Sequence, residues 1–416
     1  MAEWKEYKIG DLCRIRHGFA FKGMFFSDAP TCNILMTPGN FKIGGGFKID
    51  KPKYYNGDIP NEYILHEDDL IVTMTDLSKS GDTLGYSALV PEIEGLTLLH
   101  NQRIGRVTDI NEKLILKHYL YWVMRTEYYQ KYIVNHCSGS TVKHTSPKSI
   151  ESYQFLLPPL VEQNAIAKIL DSLDDKIEIN RRINANLEEQ ASALFKSWFV
   201  DFEPFKDGKF IDSELGKIPE GWRIGKVKEI VRILSGFAFK SDIFSETGQY
   251  RLITIKNVQD GHIDCNGATK ITGLPCKMPD YCLLNEKDIL LSLTGNVGRV
   301  CIVNQQDLLL NQRVAKLVPK DNQNRLFTYS MFRQDLFKTM LIQLARGTAQ
   351  LNLSPIETAE MNIIIPSSDV LNDFAKVGNR LFDGILQYQK ENLLLDELRD
   401  ALLPKLMSGE LIKYTL

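Results

Sequence analysis

Asp280, preceded by Pro279 and followed by Glu286-Lys287, comes close to the carboxylate and lysine set with which metal-dependent nucleases cut phosphodiesters. Here the lysine follows the glutamate directly, so on a strand the two side chains would leave opposite faces and could not share one metal and one phosphate. His262 and Cys265 have the spacing of one ligand pair with no second pair, and His66 and His118 stand alone, so no zinc site is expected. A phosphate-cradling G-x-x-x-x-G-K-[ST] is absent. Gly44-Gly45-Gly46 and Gly295-x-x-Gly298 read as hairpin glycines. An adenine methyltransferase would need a cofactor-binding glycine loop and an Asn/Asp-Pro-Pro-aromatic strand end. Leu157-Pro158-Pro159-Leu160 lacks both the polar residue and the ring. No catalytic set emerges.

What recurs instead is polar and basic. HGFAFKGMFFS (17–27) and SGFAFKSDIFS (235–245) agree at seven of eleven positions, pairing Phe19, Phe21 and Lys22 with Phe237, Phe239 and Lys240. Two rings separated by one small residue share a strand face and belong in a core; the lysines sit near a turn and suit a phosphate. Asn101-Gln102-Arg103 recurs as Asn311-Gln312-Arg313, fit either for an internal network or for DNA. GSTVKHTSP from Gly139 is echoed by GTAQLNLSP from Gly347. The first loop offers Ser140, Thr141, Lys143 and His144; the second, with Arg346 before it, offers Thr348, Gln350 and Asn352. The scaffold letters agree and the long polar letters differ, as reading two different short base sequences would require. Lys79 and Arg299 complete the candidate DNA-binding set.

These residues need elements to hold them. The landmarks recur in one order at a period of 208–218 residues, with Trp4, Leu12 and Ile15 matching Trp222, Ile230 and Ile233. The unit is too long for a solenoid repeat, so the chain reads as a duplicated domain with its connector. The globular halves alternate short apolar runs (Leu70-Ile71-Val72, Ile289-Leu290-Leu291, Ile363-Ile364-Ile365) with Gly, Pro, Asn and Asp. That is a mixed α/β (α+β) pattern, with one helix predicted near 116–134 and another near 326–344.

The connectors are helical. Ile166, Leu170, Leu173, Ile177, Asn180, Asn184, Leu187, Ala191, Leu194 and Trp198 step by four and three, a heptad seam that requires a partner helix. Phe374, Gly378, Leu381, Ile385, Tyr388, Asn392, Leu395, Arg399, Leu402 and Leu406 repeat it less cleanly. The two helices are predicted to pair antiparallel with an approximate two-fold, Leu173, Ile177, Asn184 and Leu187 against Leu381, Ile385, Asn392 and Leu395. Asn184 and Asn392 either meet and fix the register or are merely tolerated on an imperfect seam. Residues 162–203 carry a net charge of −4 and 369–400 of −3, leaving the rest of the chain at +5. Basic domains and an acidic spacer suit an approach to phosphates by the domains alone.

At 416 residues, 44% hydrophobic and 25% charged, the chain is expected to hold two or three domains. Its longest apolar runs, such as FLLPPLV, are too short to span a bilayer, and MAEWKEYKIGD lacks the layout of a secretion signal. Seven cysteines with no C-x-x-C pair argue against a disulfide framework, so a reducing, cytoplasmic location is expected.

SELGKIPEGW (213–222), LLPPLVEQNAIAKILDSLDDKI (156–177) and LLPKLMSGEL (402–411), with the paired domain and helix layout, resemble the specificity subunit of a type I restriction-modification system over the whole chain. PSSDVLNDFAKV (366–377) departs from the pattern, lacking the acidic-Gln step of Glu162-Gln163. The resemblance implies target recognition domains at 1–158 and 222–367, spacer helices at 159–203 and 368–406, a linker at 204–221 and a tail at 407–416. It implies no active site and no cofactor on this chain. Each domain would read one half of a bipartite double-stranded DNA target, and the helices would set the gap and dock two modification subunits. Those would bring S-adenosylmethionine for N6-adenine methylation; a restriction subunit would bring ATP- and Mg-dependent translocation and cleavage. A stand-alone DNA-binding regulator and a coiled-coil interaction scaffold are the other readings of the same features.

Overall fold

The computed structural model describes residues 4–347 and 350–411. The chain divides into two compact units, Met1–Asp175 with Asp396–Leu416, and Lys176–Leu395. In the first unit a four-stranded antiparallel sheet runs in the order Arg14–His17, Ile104–Thr108, Leu70–Thr73, Ser87–Leu89. A five-stranded mixed sheet runs Phe26–Ser27, Lys53–Tyr55, Asn33–Leu35, Thr97–Leu99, Ile64–Leu65, its 33–35 and 97–99 strands parallel. The second unit repeats both sheets. Its antiparallel sheet is Val231–Ser235, Val314–Pro319, Ile289–Ser292, Val300–Ile302, and its mixed sheet Phe244–Ser245, Lys270–Ile271, Tyr250–Ile253, Leu308–Leu310, Leu283–Leu284. Again one pair, 250–253 with 308–310, is parallel. Leu70–Thr73 and Ile289–Ser292 are buried throughout, which is why they read as unbroken apolar runs rather than alternating ones.

Each globular half closes on itself. Lys5–Lys8 pairs antiparallel with Gln154–Leu157, and Arg223–Lys226 with Asn362–Ile365, so the first and last strands of each half lie side by side. Inside, the repeated glycine of G-F-A-F meets the Asn-Gln-Arg turn. A Cβ on Gly18 would stand 2.3 Å from the Asn101 carbonyl oxygen, and one on Gly236 2.2 Å from that of Asn311. Only glycine admits this approach. Phe19 and Phe21 then meet edge to face at 5.1 Å, as do Phe237 and Phe239. The rings pack against the apolar clusters, Phe21 buried and Phe19, Phe237 and Phe239 half-buried.

The single helices predicted near 116–134 and 326–344 are each two short ones: Lys117–Val123 and Glu127–Asn135, then Arg325–Arg333 and Asp335–Leu344. In the first pair Thr126 breaks the run. Its Oγ1 donates to the Val123 carbonyl at 2.8 Å and accepts from the Tyr129 N–H at 3.3 Å, capping the next helix. In the second pair Gln334 is extended, at ψ 135°. The 204–221 stretch expected as a linker folds into a hairpin of Phe210–Ser213 with Gly216–Pro219.

The two long helices, Leu160–Phe199 and Ser368–Met407, are 40 residues each, roughly 60 Å at 1.5 Å per residue. Every seam residue is buried or half-buried. In the second unit the pairing is antiparallel. Asn392 donates its Nδ2 to the Ile177 carbonyl at 3.3 Å. Asn184, its amide turned to satisfy both ends, donates to the Ile385 carbonyl at 3.1 Å and accepts from the Gln389 N–H at 3.3 Å. The alternative in which the two asparagines meet is therefore corrected. Each instead holds the main chain of the opposite helix, at isoleucines that are themselves equivalent. Asn180, fully buried, donates to Glu391 at 3.0 Å, and Lys176 pairs with the same carboxylate at 3.4 Å. Arg399, an apparent blemish on the seam, is matched in the first unit by Asp174 at 2.8 Å.

Glu162-Gln163 also has an internal explanation. Gln163, fully buried, accepts from the Leu116 N–H and donates to the Leu114 and Pro158 carbonyls, each at 2.8 Å, while Trp4 donates its Nε1 to Glu162 at 2.9 Å. The second repeat places Val370 and Leu371 there, against an apolar core, and needs no such bonds.

Candidate nucleic-acid interface

Main-chain bonds gather the recurring segments along one edge of each unit. In the first, Thr75–Asp76 pairs with Lys143–His144. Met74 donates its N–H to the Arg103 carbonyl at 3.0 Å and accepts from the Thr145 N–H at 3.0 Å, and Gln102 donates to the Phe19 carbonyl at 2.9 Å. The 19–22 segment, the 101–103 turn, the 76–83 loop and the 138–144 loop are thus stitched together. In the second unit Leu293 takes the place of Met74. It donates to the Arg313 carbonyl at 3.0 Å and accepts from the Leu353 N–H at 2.7 Å, while Gln312 donates to the Phe237 carbonyl at 3.0 Å.

The 76–83 loop is shaped by Asp76. Its carboxylate accepts from the Ser78 N–H at 2.6 Å and from the Thr83 N–H and hydroxyl at 2.5 and 2.7 Å. Burial raises this carboxyl, but the bonds from Thr83 and Ser78 outweigh it and hold it below the usual carboxylate range. Asp76 is therefore a brace for the loop. Ser292 braces the second unit, donating to the Asn296 carbonyl at 2.5 Å and accepting from the Arg299 N–H at 3.0 Å.

Of the candidate DNA-binding residues, Lys22, Lys79, Arg103, Lys240 and Arg313 are exposed, and their side chains make no hydrogen bond or ion pair among the described residues. The same holds for Ser140, Thr141, Gln350 and Asn352. Four others are tied to their own domain. Lys143 reaches the Ser80 carbonyl at 3.3 Å, His144 Nδ1 lies 3.1 Å from Thr75 Oγ1, Arg299 donates to Gln259 at 2.6 Å, and Arg346 pairs with Glu357. Thr348 lies outside the described residues. The rejected nuclease triad is dispersed: Glu286 pairs with Lys390 at 2.9 Å and Lys287 with Asp383 at 2.8 Å. Among the described residues no three His, Cys, Asp or Glu side chains gather as metal ligands, and no helix is long and apolar enough to cross a membrane.

One recurring pair escapes the sequence reading. Tyr121 and Arg125 match Tyr329 and Arg333, 208 residues on: both tyrosines are in buried helices, Arg333 ends its helix and Arg125 lies in the turn just after Lys117–Val123. Arg125, with 3% of its side chain exposed, lies 4.2 Å over the Trp122 ring, donates to the Gly44 carbonyl at 2.9 Å and pairs with Asp174. Burial raises the Asp174 carboxyl, and Arg125 and Arg399 overcome that and hold it low. Arg333 lies 4.9 Å over Tyr329 and pairs with Glu188 at 3.4 Å, and the Tyr329 hydroxyl donates to the same carboxylate at 2.5 Å. In each unit a stacked arginine fastens the globular fold to a long helix.

His118 adds a titratable bolt to the first unit, 2.8 Å from Asp171 and 3.3 Å from Asp68. The bond to Asp171 raises the imidazole pKa above its ordinary value of about 6.5. A raised folded-state value means a stabilisation complete below about pH 6.5 and lost as pH rises through the folded pKa. The urea midpoint of the wild type should exceed that of His118→Gln at pH 5.5, and the difference should shrink by pH 8.5.

The family model for the type I restriction modification DNA specificity domain matches residues 1–189 and again 219–377. The chain belongs to this family. The specificity subunit is 31% identical over 303 residues to the type I restriction enzyme MjaIX specificity subunit of Methanocaldococcus jannaschii, covering 71% of this chain and 69% of that one. It is 26% identical over 491 residues to the HindI specificity subunit of Haemophilus influenzae, covering 99% of this chain and 100% of the other. The fold is similar to that of the crystallised type I S subunit from M. genitalium, with a TM-score of 0.54 and 16% identity, covering 97% of this chain and 96% of that one. This chain is a DNA sequence-specificity subunit and a non-catalytic one, with two similar recognition domains and two long helices.

Proposed function

We propose that the loop edge of each recognition domain reads one half of a bipartite double-stranded DNA target. The observation that carries this is a single main-chain frame built twice, at 74–76 with 138–145 and at 293–295 with 346–353, bearing different exposed donors and acceptors. The domains are residues 1–158 and 222–367, and the flanking cations Lys22, Lys79, Arg103, Lys240 and Arg313 contact phosphates. The spacer helices, 159–203 and 368–406, set the unspecified gap and dock two modification subunits, with 204–221 as the connection and 407–416 as the tail. The modification subunits supply S-adenosylmethionine and methylate adenine at N6; a restriction subunit supplies the ATP- and Mg-dependent steps in the cytoplasm.

The test is the methylome of cells expressing this chain with modification subunits that accept it. A two-part motif with a fixed gap is expected; methylation without sequence preference would refute the reading. Arg103→Ala should weaken complex binding to all duplexes about equally and reduce the slope of log affinity against log salt by about one. An unaltered slope would return Arg103 to an internal role.

A further inference from the structure

We infer that His144 and Asn352 are equivalent base-reading residues of the two half-sites, and that Asn352 reads an adenine through its N6 and N7. The inference rests on the two-domain reading above and names the atoms that do the reading.

The two residues occupy one structural position. His144 and Ser138 exchange main-chain bonds of 2.8 and 2.8 Å, and Asn352 and Arg346 exchange bonds of 2.8 and 2.9 Å. Each loop turns on a glycine of positive φ, Gly139 at 91° and Gly347 at 114°. A Cβ there would fall 2.0 Å from the Val142 carbonyl oxygen or 2.4 Å from that of Gln350. Both loops are held to the sheet edge, by the pairing of His144 with Thr75 in one unit and the bridge from Asn352 to Thr294 in the other. The two Cα atoms are therefore fixed, while both side chains are exposed. Rigid placement of a free polar tip is what direct readout requires.

The chemistry separates these two residues from the cations beside them, and their main-chain pairing to the sheet edge separates Asn352 from the like carboxamide of Gln350. Lys79, Arg103 and Arg313 are cations that suit phosphates. His144 and Asn352 are planar groups whose donors and acceptors can match a base edge. A carboxamide offers one donor and one acceptor side by side, the complement of adenine N7 and N6 in the major groove.

A buried threonine stands behind each reader. Thr75, 4% exposed, bonds His144 Nδ1 at 3.1 Å and leaves Nε2 as the outward atom. Its counterpart Thr294, 9% exposed, has a buried hydroxyl with no partner among the described residues. A buried hydroxyl without a bond is unfavourable, and Asn352 is the residue whose main chain pairs with that of Thr294. Thr294 is accordingly the positioning residue that steadies the Asn352 amide when the adenine is engaged.

The experiment uses the full chain assembled with modification subunits and reads methylation of a duplex library randomised across both half-sites. Asn352→Ala should lose about tenfold to hundredfold of the adenine preference at one position of the second half-site and leave the first half-site unchanged. Thr294→Val should fold normally and weaken preference at that same position. His144→Asn should bring adenine preference to one position of the first half-site. If the wild-type complex reads a bipartite motif and these variants keep every base preference, this inference is overturned and the specificity-subunit reading stands. If the wild-type complex shows no motif, both fail together.

Discussion

Asp174→Ala should destabilise the first unit by about 3–5 kcal/mol, the cost of leaving the buried Arg125 guanidinium without its counter-charge. Asp174 lies between Arg125 and Arg399; Arg125, only 3% exposed, pairs with no other carboxylate among the described residues, whereas Arg399 also meets Asp396 and Asp400 at 2.8 Å. Burial alone favours a neutral carboxyl there, yet the two arginines hold it ionised. Hydrogen exchange across 117–135 should report the loss, since the Arg125 stack on Trp122 holds that helix pair. Combining Arg125→Met with Asp174→Leu in one chain should recover much of it, because Arg399 keeps Asp396 and Asp400 and the desolvated Arg125 charge is gone. Unchanged protection in Asp174→Ala would show that the guanidinium groups are hydrated and the network is not a fastening.

Exchanging residues 1–158 for the corresponding domain of a relative should replace one half of the methylated motif and leave the other half and the gap intact. The cut points follow from the strand pairing that closes the domain: Lys5–Lys8 lies beside Gln154–Leu157, and the helix begins three residues later at Leu160. The exchange therefore severs no sheet. Two contacts must be kept in the graft: the Leu114, Leu116 and Pro158 backbone groups that receive Gln163, and an arginine equivalent to Arg125 facing Asp174. A chimera altered in both half-sites would contradict independent reading.

The duplication, the paired helices and the gathering of the recurring loops were legible because they follow from local rules. A repeated glycine marks the close approach of Phe19 to Asn101, and a four-three spacing marks a seam. What stayed hidden depends on partners distant in sequence. Thr126 looked like one more residue in a helix, and only its two side-chain bonds make it a break. Asn184 and Asn392 were located on the seam, but a spacing cannot tell whether an amide meets another amide or a backbone carbonyl. The Tyr121 and Arg125 pair was passed over because an arginine within an aromatic helix reads as surface until Asp174 supplies its charge. Among the candidate contacts, side-chain partners within the domain separate Lys143, Arg299 and Arg346, which have them, from Lys22, Lys79 and Arg103, which have none among the described residues. Side-chain reach of that kind is invisible to composition.

The asparagine bonds to Ile177 and Ile385 also constrain how such a gene can drift in length. One inserted codon in either helix turns everything beyond it by about 100° and swings an amide away from its carbonyl. Seven inserted codons come within about 20° of two full turns. Length variants that survive should thus come in sevens and in both helices at once, so that new spacings arise by jumps and not by gradual creep.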